Sequence, residues 1–174
     1  MWHGTGPTSE PFSVIVVSDT SPISNLVALG KLAWLKALFT HVVISQEVFH
    51  ELRKDEVAHA GAQKALEAGW LHIQTVSDRT FVNHLLRQVH IGEATAIALA
   101  KELSADFVLI DERAGAQLAT QSGLRTIGVL GILLEAKTAG LITEVRPWLD
   151  RLREEIGFWV SDPVYQYVLG LAEE

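Results

Sequence analysis

The sequence predicts an α/β fold, a central, mainly parallel sheet of four to five strands between two layers of helices. Three observations predict it. Short apolar runs rich in β-branched residues recur at Val14–Val17, Val42–Ile44 and Phe107–Ile110, and an unbroken run of this kind suits a strand buried on both faces. Each run is followed by a stretch whose apolar residues keep helical spacing, the rhythm of βαβ units and a parallel sheet. Each run also gives way to a polar residue that leads into the next helix: Asp19 after Ser18, then Ser45, then Asp111.

In chain order, Met1–Ser13, with Pro7 and Pro11, reads as a poorly ordered arm, and residues 14–174 as a single domain. After the first strand, a helix from about Ile23 to Leu29 has Pro22 in its first turn, Thr20 and Ser21 as hydroxyls at its entry, and Gly30 as its stop. Leu32–Phe39 is a second short helix that buries Leu32, Leu35, Leu38 and Phe39. Ser45 caps the helix of Gln46–Lys54, in which Val48, Phe49 and Leu52 keep helical spacing while Glu47 and Glu51, four apart, share a face. Ala58–Ala68 is helical and closes at Gly69. Trp70–Val76 alternates as a strand at a sheet edge.

Ser77 opens another helical stretch, with Phe81, Leu85 and Leu86 facing inward. In Ile91–Leu103, Gly92 breaks the pattern and Glu93 stands in the first turn, where the helix dipole favours a negative charge. Ala94, Ile97, Ala98 and Leu99 form a small-residue face there. Arg113–Gln121 is a helix ending at Gly123, Thr126–Val129 a short strand, and Ile132–Gly140 a helix. Thr143–Glu155 is one more helix, with Pro147 near its start. Phe158–Val160 is a last strand, after which Asp162 caps and Pro163 opens the terminal helix.

Composition narrows the function. The 174 residues are 48% hydrophobic, enough for a real core, and contain no cysteine, so there is neither a disulfide framework nor a thiolate metal site. No apolar run approaches a membrane span, the first residues lack the pattern of a signal peptide, and a cytoplasmic protein is expected. Asp and Glu number 21 against 14 Lys and Arg, for a net charge of −7. Binding nucleic acid chiefly by counterion release does not fit that total, so any such contact must be local. Five Trp, with Trp148 and Trp159 in the C-terminal segment, suggest apolar surface beyond one small domain's needs and hence a homodimer.

Four acids fall at comparable places. Asp19 and Asp111 each follow a buried strand, and the carboxyl ends of parallel strands share one edge. Glu51 lies in the helix leaving the second strand, and Glu93 opens a helix. Carboxylates gathered together repel unless they share protons or bind cations. An all-oxygen set with room for water suits Mg²⁺ or Mn²⁺, ions that serve in-line displacement at a phosphodiester.

The motifs DTSPISNL, VISQEVFHEL, GEATAIALA and VLIDERAGAQLA, in this order, resemble the PIN-domain ribonucleases. The segment GVLGILLEAKTAGLI resembles a branch of PIN-like proteins once grouped under a domain of unknown function. The resemblance runs from Val14 to the C-terminus. It implies a three-layer PIN-like fold, a divalent-metal site, single-stranded RNA as substrate, and often a toxin's role beside a small antitoxin protein. Carried over by residue, Asp19, Glu51, Glu93 and Asp111 would be the metal-binding and catalytic acids, and Ser21 would position water or phosphate. Many PIN nucleases have Thr where Ile110 stands, and Glu112 occupies a place that is often Asp in this branch, so both Asp111 and Glu112 are candidate ligands. Glu47 is an understudy for Glu51.

Rival enzymes fail on residues. A haloacid-dehalogenase phosphatase needs a second Asp where Ser21 stands, and a dinucleotide site needs a glycine fingerprint that SDTSPI lacks. A receiver domain needs paired acids at its first strand, and the seven His form no zinc-hydrolase helix. The remaining alternative is an inactive PIN-like module that binds nucleic acid or protein.

Overall fold

The computed structural model describes residues 14–174, and the arm expected over Met1–Ser13 lies outside the described residues. Five strands, β1 (Val16–Ser18), β2 (Val42–Ser45), β3 (Leu71–Gln74), β4 (Phe107–Leu109) and β5 (Thr126–Ile127), form one sheet in the order β3-β2-β1-β4-β5. Every pairing is parallel. The chain starts at the centre, winds outward through β2 to β3, then crosses back to lay β4 on the other side of β1. The gap between the carboxyl ends of β1 and β4 is therefore the topological switch point, where open α/β sheets bind ligands.

Alternate strand residues feed two cores, as a period of two requires. Val16, Val42, Ile44 and Leu109 face a large-residue core shared with α1 (Thr20–Ala28), α2 (Ala33–Phe39), α3 (Gln46–Leu52) and α4 (Glu56–Glu67). The same core takes in α8 (Val129–Thr138), α9 (Arg146–Arg151) and α10 (Asp162–Leu171). Val17, Val43, Val108 and Ile110 face the second core, with α5 (Arg79–Leu85), α6 (Ile91–Glu102) and α7 (Arg113–Gln121).

Helix α6 has no solvent face over most of its length: Gly92 through Ala100 are all buried. The sequence suggested one small-residue face. Because α6 touches α3, α5, α7 and three strands, alanines are needed all round it.

Other expectations need correction. Helix α1 begins at Thr20 rather than Ile23, because Pro22, still in the first turn, gives up an N–H with no intrahelical partner. Phe158–Val160 is no strand; Phe158 N–H donates to Leu152 O, and the segment lies alone against helices, with Val160 inward and Trp159 outward. The helix expected from Thr143 starts at Arg146 and runs into a π-helical turn, Leu152–Ile156, that Gly157 ends at φ 80°. Ser161, not Asp162, caps α10. Leu86 is exposed past the end of α5, and Val82 takes the inward place beside Leu85. Trp34 is buried and packs edge-on against Trp148 at 5.0 Å, whereas Trp159 is 82% exposed. Among the described residues, no helix is long and apolar enough to cross a membrane.

Candidate active site

Every buried polar residue among those described, Ser18, Asp19, Ser45, Glu93 and Thr95, lies at or near the carboxyl edge of the sheet. Backbone geometry sets this edge. Asp19 N–H donates to Leu109 O at 2.9 Å, extending the β1–β4 ladder to the residue that carries the first acid. Asp19 is the N-cap of α1 by position, but its side chain makes no capping bond. Ser45 both caps α3, accepting from Val48 N–H at 3.0 Å, and meets Thr95 Oγ1 at 2.8 Å. Thr95 Oγ1 also lies 2.8 Å from Ile91 O, so this buried pair ties the end of β2 to the first turn of α6.

Asp19 and Glu51 come together over Gly92. A methyl group on Gly92 would stand 2.7 and 2.9 Å from the two Glu51 oxygens and 3.0 Å from Asp19 Oδ1. Three oxygens from two carboxylates thus face one point that glycine leaves open. A side chain here would displace the Glu51 carboxylate from that point, and Gly92 lies inside α6 rather than breaking it. Thr20 Oγ1 donates to Glu51 Oε2 at 2.6 Å, which fixes the rotamer of Glu51.

Asp111 is held by a different set. Val129 N–H donates to its Oδ1 at 2.6 Å, while Ser21 Oγ at 3.1 Å and Asn25 Nδ2 at 3.2 Å donate to Oδ2. Ser21 and Asn25 are four apart on α1, so one face of that helix clasps the acid at the end of β4. Glu93 is buried in the first turn of α6, the place expected of it from the sequence, and accepts the His90 N–H at 3.3 Å. Glu112 stands exposed at the N-cap of α7, where its charge bears on Glu93 and Asp111. Glu47 shares a face with Glu51 by spacing, but it pairs with Arg79 at 2.8 Å instead.

The electrostatics follow from burial and like charge. Burial pushes the Asp19 carboxyl up to about 7, with Glu93, Glu51 and Asp111 adding repulsion against a single backbone hydrogen bond at Thr20. Burial also raises Glu93, reinforced by Glu112. Asp111 is raised by burial too, although its three donors pull the other way.

Among the described residues, no three Asp, Glu or His side chains form a ready-made metal cage. The acids stand as a converging pair, Asp19 with Glu51, flanked by Glu93 and by Asp111. The donor set nonetheless fits a hard divalent cation: it is all oxygen, crowded with negative charge, and opened at Gly92. Thr20, Asn25, Gly92 and the Val129 N–H are the members that sequence reasoning left without a part in the site. Asn25 carried a signal, its i+4 spacing from Ser21; the Val129 N–H, a backbone group far along the chain, carried none.

The family model described as DUF3368: PIN domain matches residues 15–174. No curated protein and no solved structure matches the chain.

Proposed function

This chain belongs to the PIN-domain family, and on that premise we propose that it is a divalent-metal-dependent endoribonuclease that cuts single-stranded RNA. The family's character is nuclease-type; the substrate, the ions and the residue roles are the proposal. The observation that carries it is the convergence of Asp19 and Glu51 oxygens over Gly92.

In this reading Asp19, Glu51, Glu93 and Asp111 would hold Mg²⁺ or Mn²⁺, with Glu112 at the rim. The bound ion would activate water and offset the negative charge that grows on the phosphate during in-line displacement. The chain's own part is positioning. Thr20 orients Glu51, and Ser21 and Asn25 hold Asp111. The proposal extends to a cytoplasmic toxin paired with a small antitoxin protein and acting as a homodimer; the exposed Trp159 supports the last point.

The test is incubation of labelled single-stranded RNA with purified protein and Mn²⁺ or Mg²⁺. Cleavage should stop with chelator and with Asp19→Asn. No cleavage by wild type, together with no Mn²⁺ binding by calorimetry, would leave the chain a binding module.

A further inference from the structure

Resting on the reading that the carboxylate edge cuts RNA, we propose that the adjoining cleft on α3 seats the strand next to the cleaved bond. Arg53 and Lys54 would hold its phosphates, and Phe49, Ile73 and Ile91 would form the floor for a base. The cleft has a volume of about 640 Å³ and is continuous with the carboxylates, because Glu51 lines it and Ile91 immediately precedes Gly92. Its size is that of a small-molecule site.

Two features of this cleft, found together beside the carboxylates, suit a nucleic-acid strand. Its floor exposes apolar residues: Ile73 is 37% and Ile91 36% exposed, whereas Ile23, Ile44, Ile97 and Ile132 are fully buried. Its rim carries cations without acidic partners. Among the described residues, neither Arg53 nor Lys54 forms an ion pair, and Arg53 lies over the Phe49 ring at 5.7 Å. Glu47, the other acid lining the cleft, pairs with Arg79 at 2.8 Å, which offsets its charge. A chain of net charge −7 thus places two unspent cations beside its most acidic edge. Phosphates seek such cations, and bases settle on apolar and aromatic faces. The basic arm of a protein partner would meet Arg53 and Lys54 as repulsion.

The experiment is fluorescence anisotropy of a short labelled oligouridylate in chelator, where no cutting occurs, with wild type, the double variant R53E/K54E, and Ile91→Ala. R53E/K54E should bind about tenfold more weakly at low salt, and its salt dependence should flatten by about 1.4 in slope for two lost phosphate contacts. Ile91→Ala should weaken the oligouridylate but not a base-free oligomer of the same length. Melting temperature should hold in both, and Mn²⁺ affinity should hold in Ile91→Ala and not fall in R53E/K54E, whose added carboxylates attract the cation. Equal RNA affinity in wild type and R53E/K54E would overturn the subsite, and so would an oligoarginine peptide binding in preference to RNA and more tightly to R53E/K54E. If R53E/K54E loses RNA while wild type never cleaves with Mn²⁺, the subsite stands and the nuclease reading falls. Cleavage by wild type with undiminished binding by R53E/K54E gives the reverse.

Discussion

The carboxylates at the ends of β1 and β4 flank the same switch point, yet one is surrounded by donors and the other by acids. Asp111 accepts from Val129 N–H, Ser21 and Asn25. Among the described residues, no side chain donates to Asp19, which burial and three neighbouring acids push up to about 7. The difference teaches a division of labour within one edge. The protein itself supplies donors that hold Asp111 in place and offset part of the cost of its burial, whereas Asp19 is left short of compensation that a cation would provide.

The largest effect should come from removing the charge at Asp19. Asp19→Asn keeps the shape of the side chain and should abolish metal-dependent RNA cleavage, by at least about a hundredfold in rate, while the apo melting temperature at pH 8 stays level or rises. A variant that cleaves like wild type would break the contrast outright.

The second effect is in pH. Unfolded Asp19 titrates near 3.8 and folded Asp19 near 7, so between those values the folded state holds a proton that the unfolded state has lost. Apo stability should therefore be fully present below about pH 4 and decline as pH rises to about 7, by on the order of 4 kcal/mol from this group. Urea denaturation across that range should show the decline, and Asp19→Asn should flatten it.

Asp111→Ala tests the other side. It takes the acceptor from the Val129 N–H and the Ser21 hydroxyl and leaves the Asn25 amide only its 3.3 Å bond to Ser21 Oγ, and should cost about 1–3 kcal/mol in urea denaturation at pH 5, where Asp19→Ala strands no side-chain donor. Equal losses from the two alanine variants would erase the difference. Smallest is Ser21→Ala, which removes one of the three donors to Asp111 and should lower stability by about 1 kcal/mol.

How far the sequence carried these conclusions depends on range. The strands were legible because β-branched runs buried on both faces have few other uses, and their parallel order followed from the intervening helices. Phe158–Val160 misled because an extended segment lying on helices shows the same alternation as a strand; only the lack of a neighbouring strand tells them apart. Of the candidate acids, Asp19 and Asp111 could be picked out at strand ends and Glu93 at a helix entry, while Glu51 lies near the end of α3 and was carried by the helix face and the resemblance. What Glu47 does depended on Arg79, 32 residues away, and what holds Asp111 depended on Val129, 18 residues on. Helix α6 was legible as small-residue helix but not as a helix without a wet side, since its neighbours come from segments both before and after it, from β1 to α7.

The register of β1 against β4 has a consequence in time. Val16 pairs with Val42 on one side and with Phe107 on the other. The first pairing closes a short loop; the second must close one of about 90 residues, a slower and entropically costlier step. A chain emerging from the ribosome can join Asp19 to the β2 side well before Asp111 exists, and Asp111 then waits for Val129 to acquire its strongest donor. The acidic edge is thus assembled from its two halves late in synthesis, and a chain truncated before residue 129 carries the acids without the geometry that would make them an active site.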